Sequence, residues 1–364
     1  MKVLSTFGLI YIGFSLIFTT IWSGIWLLHP DKEYEPGTNP TEVYKLFNPM
    51  LPTTMIPNYF KGTVTNGISA STMITIERLD KLKILVASYR GPVSCVLHIS
   101  DESELNQLLA VDFTAQEKQR LYLHVIIDKF DRQFNLWRNM AKYYSPTEAL
   151  IMLDIDFYMC NLNEIMTGID MNSIIQGNLN PNLGSKVYVI PAFEYSLDHR
   201  KTTFEQFPLN KKELINELKS KKIEMFHSSW VRGHKPTNYT KWFRTDVAYP
   251  VKDYTYNYEP YLIMGKNTPY CDERFIGYGS NKAACVYQLY LHGISFMVHP
   301  ELFLIHQYHP YPEADRSKER EYNRLLYEQF RLEMCIKYMR MRDKTTKLDG
   351  LRDYMKSCTQ LQWI

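Results

Sequence analysis

The stretch that decides the fold is residues 149–160, ALIMLDIDFYMC, where an apolar run ends in the carboxylates Asp154 and Asp156. A short apolar run of this kind predicts a strand buried inside a sheet. Residues i and i+2 of a strand face the same side, so we expect both carboxylates to project together from its end. Two like charges this close cost energy unless a cation lies between them. Divalent Mn²⁺ or Mg²⁺, which take oxygen ligands, would remove that cost, although an isolated D-x-D is also common without a metal.

The segments before this strand alternate between strand-like apolar runs and apolar residues at helical spacing. Apolar runs at residues 71–77, 93–99 and 121–128 predict strands, and helical spacing at 78–89 and 134–144 predicts helices. Strands alternating with helices predict an α/β fold with a parallel sheet covered on both faces. Ligands of such sheets bind beyond the carboxyl ends of the strands, where the two carboxylates lie. The second half predicts mixed strands and loops, followed by a closing helix near residues 320–339.

The N-terminal segment predicts a membrane anchor. Residues 3–28 contain no charged side chain, and as a helix they would reach roughly 39 Å, more than the ~30 Å hydrocarbon core. We predict a cytoplasmic tail at 1–3 and an uncleaved signal anchor at 4–28. A cleavable signal peptide is the alternative, disfavoured by the length of the run and by the lack of a small-x-small site. The prolines that follow predict an extended stem at 29–65.

Composition favours a lumenal enzyme or binding protein over a nucleic-acid binder. The formal charge of +3 gives no concentrated basic character, so we predict no nucleic-acid partner. Asn238 begins an Asn-Tyr-Thr triplet that accepts N-linked glycans in secretory proteins, and the six cysteines permit disulfides in an oxidising compartment. The anchor and these features together predict a single-pass type II protein with its bulk in the Golgi lumen.

Several segments resemble glycosyltransferase family 49, a family of the glucuronyltransferase type. They include FNLWRNMAKYYSPTEALIMLDIDF at 134–157, CDERFIGYGSNK at 271–282 and FLIH at 303–306. The resemblance runs from about residue 68 to 330. It implies a GT-A fold, here assigned to residues 66–335 with a C-terminal tail at 336–364. It also implies a UDP-sugar donor, a glycan or glycoprotein acceptor, Mn²⁺ dependence and inverting transfer, often of glucuronic acid.

The resemblance assigns roles to individual residues. It makes Asp154 and Asp156 the metal and diphosphate motif and suggests His306 as a third metal ligand, with His309 a weaker candidate. The helix before the strand carries Asn135 and Arg138, and an Arg there suits phosphate because its guanidinium binds two oxygens at once. The full set of predicted donor-binding residues is Thr72, Arg78, Asn135, Arg138 and Lys282.

Inverting transfer needs a base that takes the proton of the acceptor hydroxyl. The resemblance places it at Asp272 or Glu273; we favour Asp272, and the choice stays open because these carboxylates can also form an ion pair with Arg274. Tyr258 and Glu259 are predicted at the acceptor side. Departures from the family pattern at Met73 and at residues 132–133 leave a second hypothesis, an inactive lumenal glycan-binding or scaffold protein with the same fold.

Overall fold

The computed structural model describes residues 54–130, 132–162, 169–175, 185–309, 316–343 and 358. The predicted tail at 1–3 and the predicted anchor at 4–28 lie outside the described residues. Within these described ranges, no helix is both long enough and apolar enough to cross a membrane.

The strands, in chain order, are β1 (Thr54–Phe60), β2 (Ile68–Thr75), β3 (Val93–Ile99), β4 (Leu121–Ile127), β5 (Ala149–Met152), β6 (Phe157–Met159), β7 (Lys186–Ile190), β8 (Ala192–Tyr195), β9 (Ile223–Met225), β10 (Tyr249–Pro250), β11 (Tyr261–Gly265), β12 (Ser295–Val298) and β13 (Leu304–His306). The α-helices are α1 (Leu79–Ser88), α2 (Leu105–Leu109), α3 (Ala115–Arg120), α4 (Phe134–Tyr143), α5 (Met171–Ile175), α6 (Lys211–Lys219), α7 (Tyr239–Trp242), α8 (Asn281–Leu291) and α9 (Ser317–Asp343).

The larger sheet has nine strands in the order β1-β4-β3-β2-β5-β11-β7-β12-β10. Its first half contains the parallel run β4-β3-β2-β5, as the alternation of strands and helices predicted. β11 then enters between β5 and β7 and runs antiparallel to both. The sheet is therefore mixed rather than purely parallel.

The central strands are buried along most of their length because helices cover both faces of the sheet. Every residue of β3 and β5 is buried. α1 contributes Leu82 and Val86, both fully buried, to the same core, and their spacing of four residues places them on one face of the helix. This packing fixes the end of β5, and with it the position of the chain that carries Asp154 and Asp156.

A smaller, four-stranded sheet in the order β6-β13-β8-β9 lies beyond the end of β5. In it His306 of β13 pairs with Phe157 of β6 on one side and with Glu194 of β8 on the other. β6 begins directly after Asp156, so the small sheet brings residues from three distant parts of the sequence to the carboxylate pair.

The closing helix predicted near the C-terminus is α9, and it packs against α8. Phe330 of α9 is fully buried in a cluster that also contains Phe275 and Tyr287. A disulfide joins Cys335 of α9 to Cys358.

Two predicted boundaries are wrong. The predicted stem at 29–65 includes β1, which instead pairs antiparallel with β4 at the edge of the large sheet. The predicted domain end at 335 falls inside α9, where Tyr338 is still buried, so part of the predicted tail at 336–364 belongs to the folded domain. Both errors arise because sheet pairing and packing between distant segments are not visible in local composition.

Candidate active site

Asp154 and Asp156 lie on a turn rather than on a strand. β5 ends at Met152, and the backbone N–H of Phe157 donates to the carbonyl of Asp154, which closes the turn into β6. The expectation that strand geometry would point both carboxylates the same way is therefore wrong. Each carboxylate has its own set of partners.

Asp154 is held by two cations and a phenol. Its Oδ2 accepts from Lys282 Nζ at 3.0 Å and from the Tyr261 hydroxyl at 2.8 Å, and its Oδ1 lies 3.3 Å from the guanidinium of Arg138. Burial alone would raise the pKa of this carboxyl group. The charges of Lys282 and Arg138 and the two hydrogen bonds outweigh burial and hold the Asp154 pKa well below its usual range.

Asp156 faces a third cation and an imidazole. Its Oδ1 accepts from the Arg78 guanidinium at 2.7 Å, and its Oδ2 lies 3.2 Å from Nε2 of His309. Its backbone carbonyl accepts from the N–H of Gln307 at 2.8 Å, which ties the turn to the end of β13. Arg78 thus lies at the carboxylate pair, as its predicted donor-binding role requires.

His306 is buried beside the pair. Its ring lies 5.5 Å from the ring of His309, and its Nδ1 is 3.8 Å from a carboxylate oxygen of Glu194. Burial lowers the His306 pKa to about 4, so the ring is neutral at pH 7, the form that binds metals. In the part of the chain that the structure describes, no three His, Cys, Asp or Glu side chains are grouped closely enough to hold a metal ion.

The predicted donor-binding residues of α4 and α8 meet at one point. Arg138 donates to the side-chain oxygens of Asn135 and Asn281, both at 3 Å or less, and so joins the two helices in front of Asp154. The ammonium of Lys282 also lies 3.7 Å from the ring centre of Tyr261, a cation–π contact. Asn135 uses its amide to bind backbone carbonyls, so its contacts are with the protein scaffold.

Thr72 occupies a different environment. It lies within β2 and is 2% exposed, and its hydroxyl has no hydrogen-bond partner among the described residues. A direct contact with a donor would require this buried side chain to become accessible.

The two candidate bases differ sharply. Both carboxylate oxygens of Asp272 accept from the side chain of Arg274, at 2.8 to 3.1 Å. Glu273 accepts from Asn139 Nδ2 at 2.7 Å through Oε1, whereas its buried Oε2 has no partner within the described residues. Burial, opposed by the Asn139 hydrogen bond and helped by the charge of Asp272, raises the Glu273 pKa to about 7. The geometry therefore favours Glu273, contrary to our preference for Asp272.

The loop that carries these carboxylates is fixed on two sides. Asn139 donates to the carbonyl of Cys271 at 2.9 Å and accepts its backbone N–H at 2.8 Å. One turn further along α4, the buried Lys142 donates to the Thr268 hydroxyl at 2.7 Å. On the other side, a disulfide joins Cys271 to Cys285 of α8. This loop is thus held between the same two helices that carry Arg138 and Lys282.

The two residues predicted at the acceptor side, Tyr258 and Glu259, lie in different environments. Tyr258 is fully buried and its hydroxyl bonds to Thr237 at 2.8 Å, so its ring cannot stack on an acceptor and that prediction is wrong for direct contact. Glu259 lies among charges of the site: burial raises its pKa, against the charges of Lys282 and Arg138, which lower it.

The predicted glycosylation residue, Asn238, is exposed at the start of α7.

Sequence reasoning did not assign roles to several residues around the site. Tyr261 of β11 donates to Asp154, Asn281 of α8 accepts from Arg138, and Asn139 of α4 donates to Glu273. Asn139 lies four residues after Asn135, so helical spacing placed both on one face of α4. Nothing in the sequence indicated that Tyr261 or Glu194 would reach the site.

The arrangement of the sheet and its charged residues defines a class of protein. A mixed sheet with a carboxylate pair beyond a central strand, surrounded by Arg and Lys side chains, fits a GT-A-like fold. A family model described as "Glycosyl-transferase for dystroglycan" matches residues 113–339. The chain belongs to this family, glycosyltransferase family 49, as the resemblance in the sequence indicated.

Individual relatives agree with the family. The human "Xylosyl- and glucuronyltransferase LARGE1" is 29% identical over 294 residues, covering 77% of this chain and 37% of the relative. The "Glycosyltransferase-like protein LARGE" of Caenorhabditis elegans is 29% identical over 295 residues, 78% of this chain and 44% of its own. The Danio rerio "Xylosyl- and glucuronyltransferase LARGE2s" is 31% identical over 261 residues, 70% and 33% respectively. The chain spans less than half the length of these relatives.

Proposed function

We propose that the chain is a metal-dependent, inverting glycosyltransferase that moves a sugar from a UDP-sugar to a glycan acceptor. Glucuronic acid is the first candidate sugar and xylose is the second. Both are candidates because relatives are named xylosyl- and glucuronyltransferases. The proposed setting is the Golgi lumen, with residues 4–28 as the anchor of a type II membrane protein. The acceptor is a glycan or glycoprotein.

The observation that carries the proposal is the group of three cations at the carboxylate pair. Arg78, Arg138 and Lys282 contact Asp154 or Asp156 at 2.7 to 3.3 Å. Glu259 adds a third carboxyl group among the same charges. A divalent cation on the carboxylates would release the three cationic side chains to bind a nucleotide diphosphate by charge-assisted hydrogen bonds.

Asp156 and the neutral His306 imidazole, with His309 as a weaker candidate, are the groups that would hold a divalent cation on one side of the pair. Within the described residues these side chains are not grouped closely enough to do so, so binding an ion would require them to move together. Asp154 would join this set after exchanging Lys282 and Arg138 for the ion. A bound Mn²⁺ would supply Lewis-acid stabilisation of the departing diphosphate.

The protein's own groups perform the remaining steps. Arg78, Arg138 and Lys282 orient the diphosphate and stabilise its growing negative charge as the bond to the anomeric carbon breaks. Glu273 takes the proton of the acceptor hydroxyl while the hydroxyl oxygen forms the new bond to the opposite face of the anomeric carbon, a step that requires the buried, unpartnered Oε2 of Glu273 to become accessible to the acceptor. The products are the inverted glycoside and UDP, and the proton remains on the carboxyl group until it passes to solvent.

The deciding experiment measures UDP release by the purified chain from a panel of UDP-sugars, with and without Mn²⁺. The proposal expects release from one donor, stimulated by Mn²⁺ and abolished in Asp156→Asn. A folded wild-type chain that releases no UDP from any donor, with or without acceptors, would instead support the scaffold hypothesis.

A further inference from the structure

One large aromatic side chain near the site has no part in the proposed chemistry. Trp230 lies in the segment after β9 and is 50% exposed, whereas Trp242, the tryptophan twelve positions on in α7, is fully buried. Val231 beside it is also half exposed. Single exposed apolar residues are ordinary on protein surfaces, so the position of Trp230 relative to the site decides whether it matters.

Both ends of the segment 227–234 lie at the active site. The ring of Phe226 is 5.0 Å from that of His306, and His227 stacks on Phe226 at 3.9 Å. The rings of His227 and His234 are 6.5 Å apart. Burial lowers the pKa of both imidazoles, and the nearby charge of Lys282 lowers each further. The chain thus leaves the site at His227 and returns to it at His234, with Trp230 between.

Backbone hydrogen bonds fix the chain around Trp230. The backbone N–H of Trp230 donates to the carbonyl of His227 at 2.7 Å, and the backbone N–H of Gly233 donates to the carbonyl of Trp230 at 3.1 Å. A Cβ at Gly233 would come within 3.0 Å of the indole Cδ1, so the ring packs closely over this glycine. The carbonyl of Gly233 accepts the N–H of Glu259 at 2.9 Å, which connects the platform to the acidic residue beside Lys282.

We propose that Trp230 forms the acceptor subsite, an aromatic platform on which a pyranose ring of the acceptor glycan packs. Pyranoses carry a face of C–H groups, and the indole offers a large face of negative potential and few rotatable bonds. The cations that suit a diphosphate, Arg78, Arg138 and Lys282, gather at the carboxylate pair. The remaining contact that the reaction needs is with an uncharged ring surface, and Trp230 supplies it. This inference deepens the proposed glycosyltransferase function and rests on it.

The test compares Trp230→Ala and Trp230→Phe with the wild-type chain. A matched control is Leu109→Ala, which removes a similarly exposed side chain (61%) at the end of α2. In transfer assays, Trp230→Ala is expected to raise the acceptor KM about tenfold, the loss of about 1.4 kcal/mol of stacking. Its donor KM and its acceptor-free UDP release stay at wild-type values. Trp230→Phe retains part of the acceptor affinity, and the control changes nothing.

A second readout separates this inference from the proposed function. Saturation-transfer NMR with methyl β-xyloside and methyl β-glucuronide detects ring binding without any transfer. Saturation-transfer signals that vanish in Trp230→Ala support the platform even if the wild type releases no UDP. Absence of UDP release would contradict only the proposed reaction. Unchanged acceptor KM and unchanged NMR signals in Trp230→Ala overturn the platform while leaving transfer intact. A wild-type chain that neither transfers nor binds either glycoside overturns both.

Discussion

Replacing Glu273 by Gln should abolish transfer while making the protein more stable at alkaline pH. Gln keeps an oxygen for the hydrogen bond from Asn139 but cannot accept the acceptor's proton. Loss of a general base typically costs 10²–10⁴-fold in kcat. We therefore expect kcat to fall by about that factor with little change in the donor KM.

The stability gain follows from the pKa of Glu273, which burial raises from 4.5 to about 7. Between these values the unfolded chain binds fewer protons than the folded one, so stability falls as pH rises through the window and stays lower above it. At 1.36 kcal/mol per unit, ionising this buried carboxyl costs at most about 3 kcal/mol. Glu273→Gln should therefore unfold at higher denaturant concentration than wild type at pH 8, and at an equal concentration at pH 4.

The assays are UDP-coupled turnover across pH 5.5–8.5 and equilibrium denaturation at the two pH values. Wild-type kcat should rise with pH through about 7, as the Glu273 carboxyl loses its proton. The matched control is Asp272→Asn, which disrupts an ion pair with the half-exposed Arg274 and should change kcat less than about fivefold. Near-normal kcat in Glu273→Gln together with collapse in Asp272→Asn would refute the assignment.

Three further predictions concern the rest of the site and its frame. Lys282→Met removes a contact of 3.0 Å to Asp154, so the pKa of Asp154 should rise toward its usual range and UDP affinity measured by calorimetry should fall at least about tenfold. The Asp154 contribution to stability is present above pH 4 and lost at lower pH, and this variant should lose less on acidification. Cys285→Ser opens the 14-residue separation closed by the disulfide with Cys271 and should lower the free energy of unfolding by about 3 kcal/mol, whereas reduction of the wild type should lower it further because the Cys335–Cys358 disulfide opens as well. Asn238→Gln should remove a glycosidase-sensitive increase in mass from protein expressed in a secretory host, and a wild-type chain without that increase would contradict use of the exposed triplet.

The pattern of apolar residues was sufficient to predict the helices and strands whose formation depends on residues close together in the chain. The apolar runs of β2, β3, β4 and β5 and the helical spacing of α1 and α4 were predicted from sequence, because buried strands and amphipathic helices have distinct periods. β1 was missed because its proline and polar residues resemble an extended stem. Only its pairing with β4 makes it part of the sheet.

Five of the predicted site residues lie together in the fold. Arg78 contacts Asp156, and Arg138 and Lys282 contact Asp154, while their roles remain predictions. The order of the two candidate bases was not predictable, because Asp272 and Glu273 are adjacent and chemically alike. The two differ because Arg274 donates hydrogen bonds to the Asp272 carboxylate, whereas the Glu273 carboxyl group is buried.

By itself the sequence determined the family, the α/β alternation and the carboxylate pair at the end of a buried strand, because these depend on residues that are neighbours in the chain. The tertiary structure decided which charges face which: Lys282 and Asp154 are 128 positions apart, and their contact exists only because α8 packs beside the end of β5. The electrostatic interaction between two such groups depends on their distance and burial, neither of which is encoded locally. The same holds for Trp230 and Trp242, which are alike as residues, because folding leaves the first half exposed and buries the second.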